Sequence, residues 1–197
     1  VVNWVKASVL VLLLAWTVPV SAQEIRPDDK ILGKIDAPIA IVEYASLTCS
    51  HCASFHNDVL PQIKKDWIDT GKARLVFRDF PLDGLALGAA IIAHCAPEGR
   101  YFPLLGAMFE TQGQWARARD PREELKKLAR LSGVTDQQVE ACLADQSKLQ
   151  KIRTQQQADA EKYKIESTPS FLVNGKLVSG TIPYDQFKKL LEDASKK

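Results

Sequence analysis

Two cysteines separated by two residues, Cys49-Ser50-His51-Cys52, stand directly between an apolar β-rich run and a stretch with helical spacing. That placement constrains the chain more than its composition does. Two intervening residues let the thiols close a disulfide across the first turn of a helix. There the orphan N–H groups and the helix dipole favour a negative charge on the first sulfur. The preceding run, Ile39-Ala40-Ile41-Val42-Glu43-Tyr44, reads as a buried strand. Helical spacing then runs from Cys52 to Trp67, with Pro61 inside it expected to kink or divide the helix. Ala73-Arg74-Leu75-Val76-Phe77 forms a second strand, so the opening is β-α-β and long enough for a parallel unit.

This junction points to thiol–disulfide chemistry. Cys49 sits where a thiolate is favoured, and His51 inside the loop can donate to it or favour its charge. A lowered thiol pKa stabilises the reduced form and makes the disulfide more oxidising. Cys52, one turn into the helix, is expected to be shielded and to act as the resolving thiol. The pair is itself the redox couple, so no cofactor is called for. A zinc site is the rival, with Cys52 and His56 as half of it. Cys95 and Cys142 stand singly, however, and the second close pair of a metal site is missing.

Two further features gain meaning from the pair. Thr168-Pro169 precedes a β-rich run, where proline removes a ladder donor. X-Pro bonds are the ones that adopt cis, and a cis bond here would set the Thr168 backbone beside the cysteines. Glu43 is an acid inside an apolar strand. Either it is buried and partnered, passing protons to and from Cys52, or it lies on a wet face or an edge. The strand pattern leaves both readings open.

Residues 23–38 read as an extended lead-in with turns at Arg26-Pro27-Asp28 and Asp36-Ala37-Pro38. After the second strand comes a long helical block. Its candidates are 85–96, 101–111, Pro121–Leu131 ending at Ser132-Gly133, a helix behind the capping box Thr135-Asp136-Gln137-Gln138, and 147–163. Strands return at Ser170–Val173 and Lys176–Ser179, joined by Asn174-Gly175, a strong hairpin signal. An amphipathic helix over 183–194 closes the chain. Cys95 and Cys142 each fall on an apolar face in the helical block. They can be two free buried thiols or one structural disulfide, and an oxidising compartment favours the disulfide.

That compartment is argued from the N-terminus. Val1–Val20 carries Lys6, no acid and an apolar run, and Val20-Ser21-Ala22 offers small residues for cleavage after Ala22. Residues 1–22 therefore read as a signal peptide, and 23–197 as one domain with a single core. A formal net charge of +2, with no basic stripe, gives no case for nucleic acid.

Taken together, Asp36-Ala37-Pro38 through Val42-Glu43-Tyr44, Thr48-Cys49-Ser50-His51-Cys52, Phe77-Arg78-Asp79-Phe80-Pro81 and Thr168-Pro169-Ser170-Phe171 resemble the DsbA family of bacterial periplasmic oxidoreductases. The resemblance implies an α/β fold of thioredoxin type with a helical domain inserted at about 82–163. It implies Cys49 as nucleophile, Cys52 as resolving thiol, Glu43 as the acid near it and Pro169 as a cis-proline. It also implies reduced, unfolded exported proteins as substrates in the periplasm, and a quinone-linked membrane reoxidant of DsbB type. No metal is expected. The best-known member has Pro-His between its cysteines and Val before the cis-proline, where this chain has Ser-His and Thr168. Threonine there also occurs in isomerase relatives, so isomerase or reductase activity is the alternative within the same chemistry, and a metal-binding or chaperone-like module the alternative outside it. Isomerases carry a dimerisation region that 23–35 is too short to supply, so a monomer is expected.

Overall fold

A computed structural model describes residues 25–196; the leader expected over 1–22 lies outside the described residues. Five strands form one mixed sheet in the order β1-β3-β2-β4-β5. They are β1 (Lys30–Leu32), β2 (Ile39–Ala45), β3 (Ala73–Asp79), β4 (Ser170–Val173) and β5 (Lys176–Ser179). β2 and β3 are parallel, with Glu43 opposite Phe77, and the other pairs are antiparallel. All seven residues of β2 are buried, as a central strand with both faces covered requires. The β4–β5 turn is Asn174-Gly175, both at positive φ, and the Asn174 carboxamide oxygen accepts from the Ala40 N–H at 3.0 Å.

The helix after β2, α1, runs over 50–68. Pro61 does not divide it. The turns Phe55–Val59 and Lys64–Ile68 instead widen to π geometry on either side of Leu60–Ile63, which absorbs the missing N–H without a break. Between β3 and β4 lie α2 (Gly84–Ala93), α3 (Tyr101–Glu110), the short α4 (Gln112–Trp115), α5 (Pro121–Leu131), α6 (Asp136–Ala144) and α7 (Gln146–Tyr163). A final helix, α8 (Tyr184–Ala194), packs Phe187 and Leu191 onto the sheet beside Phe55 and Phe171. The core of the helical block is continuous with the sheet: Leu104, Met108, Phe109 and Trp115 cluster with Ala45, Cys52 and Phe77. The cysteine pair therefore sits at the seam between helical block and sheet.

Two expectations need correction. The lead-in is not merely extended, because Lys30–Leu32 adds an antiparallel edge strand to β3. Three residues are too few to show an alternating pattern, and their anchor is polar. Arg78 of β3 donates to both Asp29 carboxylate oxygens, at 3.0 and 2.9 Å, and to the Tyr44 hydroxyl at 3.1 Å. Asp159 of α7 lies 3.8 Å from the same guanidinium and also pairs with Arg26. Helix α2 also stops at Ala93 rather than at 96. Cys95 then lies in the turn beyond it, where it is bonded to Cys142 of α6.

That bond ties α6 back to the end of α2 across a sequence separation of 47 residues. Closing a loop of this size restricts the unfolded chain. Replacing both cysteines by alanine should therefore lower stability by about 2–4 kcal/mol in a urea titration. Peptide mapping without reductant should recover the 95–142 linkage in the native protein.

Candidate active site

Strand β2 ends at Ala45, and residues 46–49 turn the chain into α1. Cys49 is the N-cap of that helix, at φ −80° and ψ 117°, and its sulfur accepts from the Cys52 N–H at 3.4 Å. A sulfur therefore stands where serine or aspartate usually caps a helix. Cys49 is half-buried and Cys52 fully buried, and both are free thiols. The Cys49 thiol is pushed down to about 5. The Cys52 thiol contributes most by donating to it, against the opposing effect of burial; Thr168 and the backbone N–H groups of Cys52 and His51 lower it further. Cys52 moves the other way, far above the ordinary thiol range, through burial first, then its bond to Cys49 and the charge of Glu43. One thiol is thus set to be an anion and leaving group, and its neighbour to keep its proton.

The Thr168–Pro169 bond is cis. Thr168 meets the nucleophile in two ways: the protonated Cys49 thiol donates to its carbonyl at 3.4 Å, and its side chain favours the thiolate. His51 stands in the loop between the two cysteines. Its ring is exposed, and among the groups lowering Cys49 it enters through its backbone N–H. The Cys52 thiol leads these groups, and the first helical turn adds to it. Reduced His51→Ala should therefore keep its Cys49 thiolate well below the ordinary thiol range, as thiolate absorbance against pH would read. Return of the midpoint to that range would restore the ring to the leading role.

Glu43 does not lie on a wet face. It is fully buried, and both carboxylate oxygens are 3.1 Å from His56 Nε2. His56 is itself buried, stacked on Phe109 at 4.0 Å between centroids and edge-on to Phe77. The zinc reading thus loses its histidine to a carboxylate, and Cys95 and Cys142 to each other.

Three residues escaped the sequence reading. Gln112 of α4 donates to the carbonyls of Leu47 and Cys49, each at 2.9 Å, so the helical block grips the loop that carries the nucleophile. Asp83 caps α2 through the Ala86 N–H at 2.7 Å and accepts from the Thr48 hydroxyl at 2.7 Å. Thr181, after β5, donates to the His51 carbonyl at 2.9 Å. Asp83 carries a local signal, an N-cap aspartate three residues before the N–H it accepts from, whereas Gln112 and Thr181 act on backbone far along the chain.

A thioredoxin-type sheet, an inserted helical block and a Cys-x-x-Cys capping the first helix opposite a cis-proline define a thiol–disulfide class of protein. Comparison with known proteins narrows this. The family model described as Thioredoxin matches residues 26–193. Alpha-DsbA1 of Wolbachia pipientis superimposes with a TM-score of 0.81 at 32% identity, covering 87% of this chain and 93% of that one. Disulfide bond formation protein D of Bacillus subtilis is 25% identical over 186 residues, 88% of this chain and 80% of that protein. A Rickettsia bellii relative, named a protein-disulfide oxidoreductase, is 34% identical over 153 residues; the match takes in 77% of this chain but 59% of that relative's length. The chain belongs to the DsbA family of the thioredoxin superfamily.

Proposed function

We propose that this chain introduces disulfide bonds into exported proteins by passing on the Cys49–Cys52 disulfide. The observation that carries this is the split between the two thiols, Cys49 pushed down to about 5 and Cys52 held far above its ordinary value. A client thiolate attacks Cys49 Sγ; the Cys49–Cys52 bond breaks, and its electron pair goes to Cys52, which takes up a proton. A second client thiolate then attacks the client sulfur of the mixed disulfide and expels Cys49 as a thiolate. A low leaving-group pKa speeds that step and leaves the reduced enzyme as the lower-energy product. The client loses two electrons, the cysteine pair gains them, and no cofactor enters.

The names of the relatives support this activity. The wider setting is part of the same reading: a periplasmic monomer acting on reduced, unfolded proteins and reoxidised by a quinone-linked membrane protein. Thr168 before the cis-proline keeps isomerase activity as the second reading. Refolding of a reduced, multi-disulfide ribonuclease separates the two. An oxidase drives rapid loss of client thiols in a glutathione buffer, whereas an isomerase speeds recovery of activity from scrambled ribonuclease without net oxidation.

A further inference from the structure

The mechanism leaves a buried pair of titratable groups near Cys52 unused, Glu43 and His56. Cys52 and His56 lie one turn apart on the same face of α1, the spacing at which helical side chains are neighbours. That face turns toward Glu43 on β2. The carboxylate is felt at the Cys52 thiol, and both its oxygens meet His56 Nε2 at 3.1 Å. The side chains of His56 and Glu43 are 4% and 0% exposed, so no solvent competes for the proton between them. Around them the neighbours are mostly aromatic: Phe55 on α1, Phe77 on β3 and Phe109 on α3. The titratable groups facing the pair are Cys52 on α1 and Tyr101 on α3. Tyr101 is also under the influence of Asp79 on β3, which pairs with His94 beyond α2 at 2.6 Å. Burial pushes the Tyr101 hydroxyl well above its ordinary range, so it stays neutral and does not compete.

We propose that His56 is a proton-holding positioning residue for Cys52: the His56–Glu43 pair, rather than Glu43 alone, takes the Cys52 proton when this thiol attacks and returns it when Cys52 is released. Charge is the physical reason. A thiolate at Cys52 beside a carboxylate at Glu43 that had not taken its proton would place two negative charges in a buried site, which is strongly unfavourable, and both oxygens of that carboxylate are already engaged by His56. With an imidazole on the carboxylate, the proton leaving Cys52 converts an imidazole–carboxylate pair into an imidazolium–carboxylate pair. The site then carries one net negative charge before and after transfer. In the resolving direction, Cys52 gives its proton to the pair and attacks Cys49 Sγ of a mixed disulfide. The Cys49–Cys52 bond forms, the bond to the small thiol breaks, and that thiol leaves with the electron pair and is protonated by solvent. The cysteine pair is oxidised and the mixed disulfide reduced. Disulfide donation runs the same transfer backwards.

The proposal rests on Cys52 being the resolving thiol, and the test separates the two. Reduced protein is mixed rapidly with excess glutathione disulfide, quenched in acid and weighed, giving the rate at which the Cys49–glutathione adduct forms and the rate at which Cys52 clears it. His56→Gln keeps an N–H for the carboxylate but cannot hold the proton. Adduct formation should stay unchanged, while clearance at neutral pH falls about a hundredfold, the usual scale of a lost proton-transfer group. Glu43→Gln should slow clearance similarly, and the double variant should be no slower than either single one. Equal clearance in wild type and His56→Gln, or additive losses in the double variant, would overturn the role of His56. Failure of the wild type to clear the adduct would instead overturn the role of Cys52. Imidazole nitrogen NMR of the wild type needs no variant to fold: His56 should titrate differently in the reduced and oxidised proteins, and identical titrations would overturn the pair.

Discussion

Cys49→Ser is expected to reduce disulfide transfer to the uncatalysed background, and Cys52→Ser to stop it at the mixed-disulfide stage. Cys49 is the half-buried thiol whose anion is favoured by the Cys52 thiol, the first helical turn and Thr168. Cys52 is fully buried and keeps its proton. Removing Cys49 leaves a sulfur that a client cannot reach, whereas removing Cys52 leaves the reactive sulfur with nothing to clear its adducts. Incubation with glutathione disulfide followed by mass measurement should find adducts on Cys52→Ser and none on Cys49→Ser. Adducts in equal amount on both, or on neither, would contradict the assignment. The same geometry gives a pH dependence. The folded Cys49 thiol at about 5 lies below the unfolded thiol range. The resulting stabilisation of the reduced protein is therefore fully present above the unfolded pKa and is lost as pH falls through about 5. Disulfide-bonded Cys49 does not titrate, so the oxidised protein should show no such loss.

The largest effect on stability is expected at Arg78. Its side chain is 4% exposed, and it holds Asp29 in a two-bond fork, with Asp159 and Tyr44 within reach. Arg78→Met fills similar space but leaves the buried Asp29 carboxylate without its main counter-charge and Asp159 with Arg26 alone, a change that costs about 3–5 kcal/mol. Because Asp29 precedes β1 and Asp159 lies on α7, the loss should loosen the β1 edge and the packing of α7 together. A urea midpoint should fall accordingly, and amide exchange should speed up at Lys30–Leu32 and along α7 before the rest of the sheet. A stability change below about 1 kcal/mol, the level of a surface pair, would mean that the cluster adds little.

What could be read beforehand followed from local chemistry. Apolar runs, a capping box, Asn174-Gly175 and Cys-x-x-Cys each bear on their own immediate neighbours, and the elements stand where those signals place them. Nothing local marks Arg78, Asp29 and Asp159 as one cluster, because only the fold brings β3, the lead-in and α7 to one point. His56 was visible beside Cys52 but not its partner, since Glu43 reaches it from the strand before the helix. Gln112 grips backbone carbonyls, and such bonds have no residue code to read. Helix N–H groups act on Cys49 whatever side chain stands in the loop, so the residues between the cysteines carry no mark of them.

The reduction potential of the Cys49–Cys52 couple tests the central claim most directly. Equilibrating the protein in glutathione buffers and trapping free thiols for mass measurement gives it, with Cys95–Cys142 remaining bonded throughout. A Cys49 thiolate stabilised against a protonated Cys52 predicts a couple more oxidising than glutathione, less negative than about −200 mV, with each 30 mV worth about 1.4 kcal/mol. A value near the roughly −270 mV of a cytosolic thioredoxin would show that this site withdraws disulfides rather than donating them.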